Sequence, residues 1–233
     1  MDSLEMLSSD IGSCRLCPRL VEWREKVALE KRAAYEQHEY WGAGVPGFGD
    51  PLAKVLVVGL APAAHGANRT GRVFTGDRSG DFLFGSLFRT GYANQPLAES
   101  LDDGLRLDRA YVTAAVRCAP PGNKPTPLER DRCQPFIVRE LELLPQVEVV
   151  VALGQFGYQV ICNLMNIKPR PKFGHGVTVP IPENKLVGKG FAGGYIVSSY
   201  HPSQQNTFTG RLTEQMLDDV FIAARELAGL GLN

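Results

Sequence analysis

Residues 54–77 read Lys-Val-Leu-Val-Val-Gly-Leu-Ala-Pro-Ala-Ala-His-Gly-Ala-Asn-Arg-Thr-Gly-Arg-Val-Phe-Thr-Gly-Asp. The run from Val55 to Leu60 is short, apolar and rich in β-branched residues, the pattern of a strand buried on both faces of a parallel sheet. It gives way to a loop of Gly, Asn, Arg and Thr. Ligands of open parallel α/β sheets bind beyond the carboxyl ends of the strands, so a site is expected in this loop. Ala61, Ala63, Ala64, Gly66 and Gly71 let the backbone approach a ligand, and Pro62 limits its freedom. His65 and Asp77 are the titratable groups in it that could serve as acid or base near neutral pH. The structural alternative is a strand that runs into an ordinary surface loop, which sits poorly with a loop this long.

Outward from this stretch a strand-then-helix pattern occurs four times. Strands are expected at about 54–60, 109–116, 147–153 and 195–200, and helices at about 79–91, 126–144, 155–165 and 212–228. The expected fold is α/β: one domain over residues 1–233, with a four-stranded parallel sheet flanked by helices on both faces. The first of these helices should turn Phe82, Leu83, Leu87 and Phe88 inward. Thr126, Pro127 and Glu129 form a capping box at the start of the second. Upstream, residues 3–30 read as helix interrupted at Cys14 and Cys17, and 40–51 as turns. Hairpin strands are expected near 175–181, within a less regular section that contains His175 and many glycines.

A length of 233 residues with 44% hydrophobic content suits one globular domain with a sizeable core. No apolar stretch approaches the ~18 residues of a membrane span, and Asp2, Glu5 and Asp10 are unlike a secretory signal, so a soluble cytoplasmic protein is expected. The 25 basic residues equal the 25 acidic ones. Attraction to nucleic acid must therefore come from local clusters. Candidates are Arg69, Arg72 and Arg78 in the first loop and Lys168, Arg170 and Lys172 in another, each of which could equally be an ordinary solvated face.

Five cysteines are present. Cys14 and Cys17 make a Cys-x-x-Cys pair, Cys118 and Cys133 flank a Pro-rich loop, and Cys162 falls in an apolar helical pattern, where a small buried residue is expected. A reducing compartment argues against disulfides. Four thiolates converging on a metal centre is the better reading, and spacing leaves both zinc and an iron–sulfur cluster open.

Because parallel strands place their carboxyl ends together, Asp77, Asn123 and His201 should face a common cleft. Each has a structural alternative: Asp77 as a helix N-cap, Asn123 beside Gly122 as a turn residue, and His201 before Pro202 as a strand terminator. The three together, all at strand ends on the side where sites form, weaken those alternatives.

Two stretches carry a resemblance. Gly59-Leu60-Ala61-Pro62 through Asn68-Arg69-Thr70-Gly71-Arg72 to Phe74-Thr75-Gly76-Asp77, and His201-Pro202-Ser203 through Asn206 to Thr209-Gly210-Arg211, are similar to the two signature motifs of uracil-DNA glycosylases. The resemblance is to type B, the fifth family of that superfamily, and covers nearly the whole chain from Cys14 onward. It implies the three-layer sandwich of that superfamily, with Cys14, Cys17, Cys118 and Cys133 as ligands of a [4Fe–4S] cluster in a structural role. The implied reaction is monofunctional hydrolysis of the N-glycosidic bond of a base flipped out of DNA, which initiates base excision repair. Catalytic roles fall on Asp77, His201 and Asn123. His201 would bond a uracil carbonyl, and Asp77 would position or activate water or stabilise the cationic sugar. Substrate contacts fall on Gly59, Ala61, Ala63, Phe74, Ala114 and Asn206, with Phe74 stacking on the base. DNA contacts fall on Arg69, Arg72, Gln204, Gln205 and Arg211, with the glutamines entering the minor groove.

The uracil-specific related family carries an acidic residue in the first motif and an asparagine four residues before the third cysteine, where this chain has Ala63-Ala64-His65 and Ala114. Without that amide a broad base range is expected, covering uracil, modified uracils and hypoxanthine, with Asn123 as a replacement contact. The expected partner is DNA containing uracil or other deaminated bases. A monomer without membrane contact is expected, and the residues leave open whether a replication clamp is a partner. The rival classes are an iron–sulfur redox or sensor protein and a DNA-binding module that recognises the base without excising it.

Overall fold

The computed structural model describes residues 2–182 and 194–231. The glycine-rich part of the less regular section, 183–193, lies outside them. The elements run α1 (Leu4–Ser13), α2 (Pro18–Glu30), β1 (Phe48–Gly49), β2 (Val55–Gly59), α3 (Ala67–Thr70), α4 (Arg78–Arg89), β3 (Ala110–Ala114), α5 (Pro127–Leu143), β4 (Val149–Leu153), α6 (Gly154–Leu164), β5 (Thr178–Ile181), β6 (Gly194–Ser199), α7 (Gln204–Phe208) and α8 (Glu214–Leu227).

Among the described residues the sheet has six strands in the order β1-β3-β2-β4-β6-β5. The inner four are parallel and are the four expected. Both outer strands are antiparallel, so the sheet is mixed rather than purely parallel. The sequence gives little sign of β1, because two residues next to Pro46 and Gly47 carry no alternation. Gly49 is required there: a Cβ on it would lie 2.4 Å from the Ala110 carbonyl oxygen of the neighbouring strand.

Register places the site. Gly59 pairs with Ala114, Val58 with Ala152, and Leu153 with Ser199, so the four parallel strands end along one line. The loops that follow leave the sheet at one edge. On one face α4 and α8 cover Val55, Val57, Val112, Val149 and Val151 with Leu83, Phe84, Leu87 and Phe221. On the other, α5 and α6 cover Leu56, Val58, Val150 and Ile196 with Ile137, Leu141 and Ile161. β-Branched residues facing both layers are what a doubly covered parallel sheet demands.

The inner face of α4 differs from expectation. Phe84 is buried in place of Phe88, which is 45% exposed, while Phe82 is half-buried. Gly80 seats this helix hard against the Phe74 backbone, where a Cβ would meet the Phe74 carbonyl oxygen. The capping box at Thr126 and Glu129 is formed. Within the core, the Arg117 guanidinium donates to the Glu140 carboxylate at 2.8 and 2.6 Å, and Thr113 donates to the same group. No helix among the described residues is long and apolar enough to cross a membrane.

Candidate active site and thiol cluster

The first loop is shaped by what β2 and α4 leave free. A Cβ at Gly59 would lie 2.6 Å from the Phe74 ring, so the strand end is glycine because the ring lies on it. Phe74 has φ 52°, a left-handed backbone that a bulky side chain seldom adopts. It is 8% exposed, held between Gly59 and Gly80. Strain of this kind, fixed from both sides, is typical of a binding position.

Asp77 is the N-cap of α4 and a wall of the site at once. Its Oδ1 accepts the Ser79 and Gly80 N–H groups at 2.9 and 3.0 Å. Oδ2 takes up the space left by Gly66, where a Cβ would stand 2.0 Å away. Burial raises the pKa of the carboxyl, opposed by the two N–H bonds and by Arg69, and assisted by Asp81.

His201 follows β6. Gly154, with φ 81°, lies beneath it, and a Cβ there would be 3.1 Å from the His201 Cβ. From α7 the Asn206 side chain donates to the His201 carbonyl at 2.9 Å. Desolvation lowers the imidazole pKa to about 4, so it is neutral at pH 7 and can donate a hydrogen bond without carrying charge. Its ring centroid is 5.8 Å from that of Phe74.

A cavity of about 270 Å³ brings Ala61, Ala63, Phe74, Asp77, Asn123 and His201 together. Asn123 closes it from a helical turn over residues 121–123, exposed and with φ 57°, which asparagine tolerates. Leu60, Val73, Ser79 and Ser203 also line it and were not singled out from sequence. The helix-start pattern could have drawn attention to both serines: Ser203 caps α7, and Ser79 lies in the first turn of α4.

Several expected contacts are placed elsewhere. Gly59 serves the Phe74 ring and is not in the cavity wall. Ala114, 3% exposed, is in the apolar layer beside it, and Asn206 is turned to the His201 backbone. Arg69 and Arg72 are not free cations. Arg72, 2% exposed, makes a fork on Asp103 and donates to Thr75, and Arg69 is 8% exposed and bonded internally. Gln204, Gln205 and Arg211 are exposed, with Arg211 4.6 Å above the Tyr200 ring. Arg78, the third arginine of the first-loop cluster, is exposed and stands 4.8 Å over Phe208, itself 68% exposed. His65 is outside the base cavity, and its Nδ1 is 3.1 Å from the Tyr40 hydroxyl.

Next to Ala61, Cys17, Cys118 and Cys133 are buried together with Leu20 and Val116, and half-buried Phe156 packs against them. Cys14 is half-buried at the same place, and all are free thiols. Arg24, 2% exposed, donates from Nη1 to Cys118 Sγ at 2.9 Å and from Nη2 to the Cys14 carbonyl at 2.9 Å, and its buried Nε has no partner. Burial pushes the Cys133 thiol up to about 12 and also raises Cys118. Such thiols become thiolates only where a metal draws off the proton. Among the described residues no group of His, Cys, Asp or Glu is arranged to hold a single metal ion. The donor set of four thiols in apolar walls, with a buried guanidinium against sulfur, fits a multinuclear iron–sulfur centre. Cys162 is apart from it, fully buried in the α6 layer.

A family model described as the uracil DNA glycosylase superfamily matches residues 46–225. The chain is 51% identical over 227 residues to a type-5 uracil-DNA glycosylase of Mycobacterium tuberculosis, covering 96% of this chain and 81% of that protein. It is 49% identical over 228 residues to the type-5 uracil-DNA glycosylase of Thermus thermophilus, covering 97% and 99%. To a type-4 uracil-DNA glycosylase of Archaeoglobus fulgidus it is 32% identical over 170 residues, covering 72% and 68%.

Proposed function

The chain belongs to the uracil DNA glycosylase superfamily, and from that premise we propose that its cavity takes one base extruded from DNA and hydrolyses the bond to its sugar. It is a DNA-repair hydrolase of the uracil-DNA glycosylase type. The observation that carries the finer reading is the meeting of Phe74, Asp77 and His201 in one cavity from three separate stretches of chain.

Extrusion costs a few kcal/mol of stacking, least for a mismatched base. The Phe74 ring recovers part of it by stacking, which suits any base. Cleavage leaves negative charge on the departing base and positive charge on the sugar. His201, neutral and fixed through its backbone by Asn206, donates to a base carbonyl and stabilises the anion. Asp77 presents Oδ2 to the sugar side, where it holds the attacking water and offsets the cation. Asn123 supplies the other polar edge. Among the described residues no lysine lines the cavity, in keeping with attack by water rather than by an amine. With small apolar residues at Ala61 and Ala63, polar discrimination rests on His201 and Asn123, which supports a broad base range.

Cys14, Cys17, Cys118 and Cys133 would hold a [4Fe–4S] cluster, which when bound ties α2 to the loop carrying Asn123. Of the arginines expected on phosphates, exposed Arg78 and Arg211 keep that role and buried Arg69 and Arg72 do not, and Gln204 and Gln205 are exposed with them. The test is base release from duplexes containing uracil and from duplexes containing hypoxanthine. Free base with an alkali-labile site is expected from both. Binding without release rejects the enzymatic reading, and release of uracil alone rejects the broad range.

A further inference from the structure

Arg69 occupies a position for which base contact offers no explanation. It does not line the base cavity, yet its guanidinium is fully engaged. Nε donates to the His65 carbonyl at 2.9 Å and Nη2 to the Gly76 carbonyl at 3.0 Å. Nη1 is 3.1 Å from His38 Nδ1, which accepts, and the carbon of the fork lies 4.1 Å from the Tyr35 ring centroid. Gly76 immediately precedes Asp77 and has φ 77°, and a Cβ on it would stand 2.4 Å from Nη2. The backbone of Arg69 is pinned as well, its carbonyl accepting the Trp41 N–H at 2.9 Å. One planar cation thus ties both ends of loop 65–76 to segment 35–41. Only a fork with separated donors reaches both carbonyls.

We propose that Arg69 is a positioning residue for Asp77, fixing through the Gly76 carbonyl, from outside the base cavity, where Oδ2 stands. The inference rests on the glycosylase reading and adds a residue that acts through another. Charged and titratable groups around Asp77 are Arg69 and Arg78, Asp81 with Glu99 behind it, the imidazoles of His38 and His65, and Arg32. His201 faces it across the base cavity. Of these, Arg69 opposes and Asp81 assists the upward pull of burial on the Asp77 carboxyl.

The test follows single-turnover uracil release against pH for the wild type, Arg69→Met, Arg69→Lys and Tyr35→Leu, with melting temperatures alongside. Arg69→Met should lower the rate constant by about 10²-fold, as small misplacements of a catalytic group do, with little change in substrate affinity. Its acidic limb should move up by about one pH unit, because the nearby positive charge is gone. Arg69→Lys should keep the limb of the wild type and still lose about tenfold, since one ammonium cannot span two carbonyls. Tyr35→Leu keeps the charge and both acceptors. It should slow release with the limb unmoved, and it keeps the test open if Arg69→Met does not fold. A loss in Arg69→Met that tracks melting temperature with no movement of the limb overturns the positioning role, as do wild-type rates in Arg69→Lys and Tyr35→Leu. No release by the wild type removes the glycosylase reading itself, an outcome distinct from either.

Discussion

Asp77 uses its two oxygens for different purposes, and substitution can separate them. Asn caps a helix about as well as Asp, whereas Ala does not. Asp77→Asn should therefore keep the α4 start and lose release activity by about 10²–10⁴-fold, the usual reach of a general base. Its melting temperature should equal or exceed the wild type. The sign follows from burial: the contribution of a carboxyl whose folded pKa is raised is fully present below its unfolded pKa and is lost as pH rises through the folded one. Above the folded pKa the buried charge opposes folding, and the amide relieves it. Asp77→Ala should lose the same activity and also about 1 kcal/mol of stability with the cap. Equal activity in wild type and Asp77→Asn removes the carboxylate from the reaction. The place of Asp77 at a helix start and in the cavity wall was legible in sequence, since it precedes a helix and ends a polar loop. The burial of Arg69 and Arg72 was not. An arginine in a loop looks the same in sequence whether it faces a phosphate or two carbonyls, and only the fold brings Tyr35, His38 and Asp103 to meet them.

At the scale of elements, strong local chemistry was readable and weak chemistry was not. The capping box of α5 and the buried runs of β2 and β4 stand where the residues put them. The short helices α3 and α7 lie in stretches rich in Gly, Asn and Thr, whose intrinsic preference is for turns, and tertiary contacts impose the helical turn. The helix pair α1 and α2 is broken between Cys14 and Cys17, two of the four thiols proposed to hold the cluster. Cys17→Ala should lose the visible absorbance of the iron–sulfur centre and about four irons per chain, with a fall in melting temperature, because metal binding contributes to folding. Asp77→Ala should keep the iron. Retention of iron and colour by Cys17→Ala would sink the four-thiol assignment.

For the molecule as a whole, the alignment of strand ends makes one edge of the sheet the working surface, and that alignment was legible once four parallel strands had been recognised. Of the two antiparallel borders, β1 was not, being two residues long, whereas β5 falls in the stretch 175–181 read as hairpin strands. Formal net charge is zero, so attraction to DNA must come from cations placed at the mouth rather than from a general field. If Arg78 and Arg211 each neutralise a phosphate, the logarithm of affinity should fall against that of salt with a slope of about −2, and Arg78→Ala should make it shallower by about one. An unchanged slope would place the phosphates elsewhere. The borders of the sheet have a separate consequence. A long, bare outer strand is a template on which further copies can add, whereas here one border is two residues of backbone and the other contains Pro180, which cannot donate to an incoming strand. The sheet of the described residues therefore offers an incoming strand little backbone on which to nucleate fibrils.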